Sequence, residues 1–104
     1  MKNAEAVLSV KFNSTHSPEE LINVCLEDLE TFRNVPGLLQ KYYLAEELTG
    51  AISGLYIFES RSARAAFWTS ALARIIPERY GVIPETLRVE QYDMAIVLND
   101  VLLA

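Results

Sequence analysis

The sequence predicts an α+β fold of the ferredoxin-like kind, βαββαβ, with a four-stranded antiparallel sheet and two helices on one of its faces. Three observations predict it. Four stretches alternate or fill with apolar residues at strand spacing. Two others repeat apolar residues at helical spacing, each opened by a serine cap. Turn signals separate them in the order β-α-β-β-α-β. The 104 residues suit a single domain spanning residues 1–104.

The first strand runs from Glu5 to Asn13, with Ala6, Leu8, Val10 and Phe12 on one face. Ser17, Pro18 and Glu20 then form a capping box with proline in the first helical position. In that helix Leu21, Ile22, Cys25, Leu26, Leu29 and Phe32 make the apolar stripe, and Glu27, Asp28, Glu30 and Arg33 the wet face. Pro36 ends it, because the residue before a proline avoids helical geometry. The second strand is Leu38 to Glu47, joined as an antiparallel hairpin to a third within Gly50 to Glu59. The third strand is apolar on both faces: Ile52, Tyr56 and Phe58 share one, Ala51, Leu55 and Ile57 the other. Gly54, in its middle, marks a bulge or a close approach. The second helix starts at Ser60 or Ser62 and carries Ala65, Trp68, Leu72, Ile75 and Ile76 as its stripe, with Pro77 as the point of interruption. A last strand is expected from Thr86 to Leu98. The apolar tail, Asn99 to Ala104, is expected to dock on something.

Composition excludes several classes of function. Fourteen acidic against nine basic residues give a net charge of −5, and the basic residues are scattered, so no nucleic-acid partner is expected. One cysteine and one histidine leave no internal disulfide and no ordinary structural zinc site within one chain. There is no glycine-rich nucleotide fingerprint and no phosphate-binding loop, so no cofactor is expected. The apolar runs are far shorter than the roughly 20 residues that span a bilayer, so no membrane partner is expected either. Met1 to Glu5 lack the apolar core of a signal peptide, and the expected location is the cytoplasm. An apolar content of 51% is high for a small domain, and helices on one face leave the other face of the sheet uncovered. The simplest cover is a second copy packed sheet against sheet, a homodimer, with higher assembly left open.

His16 is the lone imidazole and sits in the loop after the first strand, which makes it the first candidate for a general base. The plainer reading is a solvated loop histidine. Tyr42, Tyr43, Tyr56 and Tyr92 lie on strands, where a hydroxyl can line a pocket while the ring packs. Cys25, on the apolar stripe, reads as a small buried hydrophobe. Asp93 reads as pairing with Arg88 or Lys41 across a dimer, or as a polar spot in the sheet. Arg61, Arg64, Arg74 and Arg79 read as a solvated helix face.

Val35-Pro36-Gly37-Leu38, Gly54-Leu55-Tyr56-Ile57-Phe58 and Ser62-Ala63-Arg64-Ala65-Ala66-Phe67-Trp68 resemble the dimeric α/β-barrel superfamily. In particular they resemble the small monooxygenase-like proteins of the YdhR type, kin to the antibiotic-biosynthesis monooxygenases. The resemblance implies a dimeric barrel and a ligand between sheet and helices. It also implies a polar asparagine on the first strand and a tryptophan on the second helix, for which Asn13 and Trp68 are the nearest matches. Asn13 would hydrogen-bond an oxyanion and Trp68 would stack on an aromatic substrate; their plainer roles are a strand end and core packing. Haem-degrading relatives place an iron-binding histidine after the tryptophan, and the corresponding stretch, Leu72 to Arg79, has none. The function implied is a cofactor-independent monooxygenase acting on a small aromatic or polyketide-like substrate. The alternatives are a non-oxidative isomerase or decarboxylase with His16 as base, and a non-catalytic dimer that binds a small ligand.

Overall fold

The computed structural model describes residues 4–98. Strand β1 (Ala6–Phe12) leads into helix α1 (Pro18–Arg33), the hairpin β2 (Leu38–Ala45) and β3 (Ile52–Phe58), helices α2 (Arg61–Trp68) and α3 (Ala71–Arg79), a short 3₁₀ turn at Pro84–Thr86, and β4 (Arg88–Asp93). The sheet order is β2-β3-β1-β4, with every neighbouring pair antiparallel. This is the ferredoxin-like arrangement.

Register decides which residues form the core. Ala6 lies opposite Phe58, Leu8 opposite Tyr56 and Val10 opposite Gly54. The buried face of β1 therefore continues across β3, and Ile52, Tyr56 and Phe58 look toward the helices while Leu55 and Ile57 look away. Leu8 and Phe58 are wholly buried, each stabilising the fold by about 2 kcal/mol through removal from water. Phe32 of α1 and Phe67 of α2 close over Tyr56 and Phe58, with ring centroids 5.0–6.3 Å apart. Edge and tilted geometries of this kind add to the burial itself.

The capping box of α1 forms in full: the Glu20 amide donates to Ser17 Oγ at 3.2 Å and the Ser17 amide to Glu20 Oε1 at 2.8 Å. The apolar stripe of α1 is only partly covered. Leu21 and Phe32 are buried, whereas Ile22 and Leu26 are more than half exposed. The reason is position, since α1 lies over the edge strand β2, and among the described residues nothing beyond that strand covers the helix's outer flank. Asp28, expected on the wet face, is buried instead.

Four other expectations are corrected. The single second helix is two helices, broken at Thr69 and Ser70 and not at Pro77. Ser70 Oγ caps α3 by accepting from the Ala73 amide at 3.2 Å, while Thr69 Oγ1 turns back to the Ala65 carbonyl at 3.0 Å. Pro77 sits near the end of α3, where little intrahelical bonding is lost. The break resets the helical phase, so Phe67, Ala73 and Ile76 are buried while Ile75 of the expected stripe is half exposed. The last strand stops at Asp93, because its partner β1 begins at Ala6, opposite Asp93. Ile96 and Leu98 are exposed beyond it. The expected docking of Asn99 to Ala104 lies outside the described residues. Gly54 is not at a bulge: it pairs regularly with Val10 and Tyr43, and the irregularity lies at Leu38/Gln40. Gly54 serves a close approach, since a Cβ there would stand 2.9 Å from the ring of Tyr56 and 3.4 Å from Cε of Lys41.

The charged residues also settle differently. Within the chain, Asp93 pairs with Arg61. Arg64 donates to the carbonyls of Tyr92 at 2.7 Å and Val7 at 3.4 Å, and Arg79 is bound by α1, so these two are anchors, not a solvated face. Among the described residues, no helix is long and apolar enough to cross a membrane.

Candidate functional site

Strands β2 and β3 bring Lys41, Tyr43 and Tyr56 to the helix-facing side of the sheet, because Lys41 lies opposite Tyr56 and Tyr43 opposite Gly54. Helix α1 lays Cys25, Asp28 and Phe32 near them, and Tyr80 joins from the end of α3. The result is a small polar cluster set in an aromatic core.

Asp28 organises it. Its Oδ2 accepts from Arg79 Nε at 2.7 Å and from Tyr80 Oη at 2.9 Å, tying α1 to α3. Burial pushes the carboxyl's pKa up, but the bonds from Arg79 and Tyr80, with the charges of Arg79 and Lys41, outweigh this and hold it below its ordinary value. Lys41 Nζ stands 3.4 Å from the ring centre of Phe32, 4.2 Å from that of Tyr43 and 4.5 Å from that of Tyr56. Burial drives its pKa down to about 7, partly opposed by the charge of Asp28. Burial raises the Tyr43 hydroxyl to about 12, and raises those of Tyr56 and Tyr80 as well, the last also through its bond to Asp28. The Tyr43 hydroxyl is buried without a hydrogen-bond partner among the described residues.

Beside this cluster, a groove of about 460 Å³ runs between α1 and the far ends of the β2–β3 hairpin. Its walls are mostly apolar, with Leu21, Ile22, Cys25, Leu26, Leu29 and Ile52 prominent; its polar side chains are Ser14, His16 and Tyr43. An apolar cleft with a few convergent polar groups is the usual form of a small-molecule site. The Cys25 thiol on its wall is half-buried, and burial pushes its pKa up, which keeps it protonated.

The His16 loop is held by α3. Ser14 Oγ donates to the Tyr80 carbonyl at 2.6 Å, the Thr15 amide to the Gly81 carbonyl at 2.8 Å, and His16 Nε2 lies 2.9 Å from the Arg79 carbonyl. A carbonyl only accepts, so Nε2 carries a proton and, in the neutral ring, Nδ1 keeps the lone pair. Gly81 allows this packing: its φ is +62°, and a Cβ there would stand 2.5 Å from Thr15 Oγ1 and 3.1 Å from His16 Cδ2.

The structure brings together His16 and Tyr43 on the groove, with Tyr56 behind them in a narrow void of about 10 Å³ that Lys41 and Tyr80 also line. It does not bring the other candidates there. Tyr42 lies opposite Leu55, on the sheet face away from the helices. Asn13 is exposed at the end of β1, and its backbone is what binds, to Thr86 Oγ1 at 2.9 Å and to the Ile83 amide at 2.9 Å. Trp68 is half-buried at the end of α2, packed on the core and not part of the groove wall. Sequence reasoning missed Asp28, Lys41 and Tyr80. A signal was present for two of them: Asp28 repeats at helical spacing between Leu21 and Phe32, and Lys41 alternates in step with Tyr43. Among the described residues no three His, Cys, Asp or Glu side chains gather as metal ligands do.

No protein-family model matches the chain, and no curated protein matches it by sequence. Solved structures do match. A monooxygenase from Streptomyces coelicolor, in complex with the ligand nanaomycin D, is 19% identical, with 92% of each chain covered and a TM-score of 0.69. A cofactor-independent oxygenase from Streptomyces nogalater is 12% identical over 93% of this chain and 97% of its own, at 0.66. A protein of unknown function from Nitrosomonas europaea is 11% identical over 94% and 96%, at 0.69. At these identities the likeness is one of fold, and the chain has the ferredoxin-like α+β fold of the antibiotic-biosynthesis-monooxygenase-like proteins.

Proposed function

We propose that the protein is a cofactor-independent monooxygenase of the antibiotic-biosynthesis type, acting on a small aromatic or polyketide-like molecule bound in the α1–hairpin groove. The observation that carries this reading is the groove itself: about 460 Å³, mostly apolar, with His16 and Tyr43 on its wall. The shared fold supports it, since a structural neighbour is a cofactor-independent oxygenase and another was solved with nanaomycin D. Fold alone does not assign chemistry. In this reading, His16 Nδ1 takes a methylene proton of an anthrone, and the apolar walls exclude water around the electron-rich anion. Tyr43 packs on the groove wall, and its buried hydroxyl is held protonated by its raised pKa. Oxygen then attacks the anion: one of its atoms becomes the new carbonyl, and the other leaves as water with the two hydrogens of the oxidised carbon.

The test is oxygen uptake on adding a hydroxyanthrone to the full chain, with product identified by mass. Uptake is expected in the wild type. It falls at least tenfold in His16→Ala and disappears in Leu26→Arg, which fills the groove from a position already 59% exposed and so leaves the fold intact. Uptake unchanged in both variants, or absent in the wild type, would falsify the reading.

The same proposal includes a homodimer. The sheet face away from the helices carries Val7, Tyr42 and Leu55, each partly exposed, and none of the described helices covers them. A second copy packed on this face would remove those residues from water. Sedimentation at micromolar concentration is expected to give a dimer, with Leu55→Glu shifting it to monomer; a wild-type monomer would sink the idea.

A further inference from the structure

Lys41 is used by nothing proposed so far. Three observations set it apart. First, its Nζ has no ion pair or hydrogen bond among the described residues; Asp28, which acts on it through charge, is engaged by Arg79 and Tyr80. Second, ring faces of Phe32, Tyr43 and Tyr56 surround the amine, and Gly54 leaves room for its stem, since a Cβ there would stand 3.4 Å from Lys41 Cε. Third, Lys41 lines a recess of about 220 Å³ together with Leu29, Phe32, Arg33, Leu38, Gln40 and Tyr43. Burial desolvates the amine, which favours the free base and so the nucleophile, against the pull of the Asp28 charge and of the ring faces toward the ammonium.

We propose that Lys41 is a carbonyl-capturing lysine that holds small aromatic aldehydes in this recess as an imine. The amine lone pair adds to the carbonyl carbon while the carbonyl π bond breaks and one N–H hydrogen passes to oxygen, giving a carbinolamine. The C–O bond then breaks and the second N–H hydrogen leaves with the hydroxyl as water, so aldehyde and amine become imine and water with no change of oxidation state. Phe32 and Tyr43 on the recess wall suit the ring of the aldehyde, while Arg33 and Gln40 make its polar side. The recess and the groove share Tyr43 and Leu29 but open on different neighbours, so this proposal stands apart from the oxygenase reading.

The opposing reading is an ammonium held by the same ring faces as a cation–π cage. Chemistry separates the two. The full chain is incubated at pH 7 with benzaldehyde and sodium cyanoborohydride, and the benzylated positions are mapped by peptide mass spectrometry. The competitors are Lys2, the exposed Lys11 and the amino terminus. Lys41 is expected to be labelled at least about 100-fold faster than the exposed Lys11. Labelling is lost in Lys41→Arg and kept in Leu26→Arg. Labelling of Lys41 at or below the Lys11 rate, or confined to the other amines, overturns the proposal. Because the comparison is made within the wild-type chain, it holds whether or not the Lys41 variant folds.

Discussion

Asp28→Ala destabilises the protein by about 3 kcal/mol. The carboxylate is buried and receives Arg79 Nε and Tyr80 Oη on one oxygen. Its removal leaves the buried Tyr80 hydroxyl unpaired, a penalty of about 1–3 kcal/mol. It also leaves the Arg79 guanidinium, about a third exposed, without its nearer partner. Breaking a buried pair from one side is costly for this reason, although the intact pair need not be strongly stabilising. The tie between α1 and α3 also positions the carbonyls of Arg79 and Tyr80 that hold His16 and Ser14, so loss of the groove's ligand affinity should accompany the loss of stability. Urea denaturation measures the first effect. In the Asp28→Ala background, Arg79→Ala should add less than about 1 kcal/mol, because the two act as a unit. The pH dependence has a definite sign. The folded carboxyl's pKa lies below its unfolded value, so this contribution is present above the unfolded pKa of about 4 and fades as pH falls through the folded value. A loss under 1 kcal/mol in the single variant would show that the cluster does not hold the helices together.

Lys41→Met stabilises the protein at pH 6 by about 2–4 kcal/mol, and the advantage vanishes by about pH 10.5. The folded pKa is lowered from 10.5 to about 7. Below pH 7 both folded and unfolded chains carry the charged lysine, and folding bears the whole penalty of burying it. Between pH 7 and 10.5 the unfolded chain binds the proton and the folded chain does not, so wild-type stability rises with pH. Above that window both forms are neutral and the penalty is gone. Full conversion of the shift would give nearly 5 kcal/mol; the ring faces of Phe32, Tyr43 and Tyr56 favour the cation and reduce it. Methionine keeps the stem's packing without the charge. The groups facing Lys41, namely Asp28 and Cys25 from α1, Tyr43 and Tyr56 from the sheet and Tyr80 after α3, are shared by both proteins and largely cancel in the difference. Denaturation at several pH values checks this. A pH-independent difference would mean that Lys41 keeps an ordinary pKa in the folded chain.

Much of the architecture was legible in the residues. Strand alternation in β1, the Ser17–Glu20 box and the turn at Pro36 are local signals, and each places an element where local physics puts it. The break at Thr69 and Ser70 was harder to read, because a continuous helix and two capped helices share the same short-range propensities. Ser70 was the available sign, a second cap in the middle of a helical stretch. The end of β4 was not legible from β4 at all, since it depends on where β1 begins.

The sequence alone determined the element order, the antiparallel hairpin, the fold class and the presence of apolar residues on both faces of β3. These follow from the two-residue and 3.6-residue periods, which are properties of neighbouring side chains. Only the tertiary structure decided which face of β3 meets the helices, that Asp28 turns inward to receive Arg79 and Tyr80, and that Lys41 sits under Phe32. It also decided that His16 and Tyr43 share a groove while Asn13, Tyr42 and Trp68 lie elsewhere. Those outcomes depend on strand register and on how α1 rotates over an edge strand. Contacts between residues distant in the chain set both, and no local period encodes them.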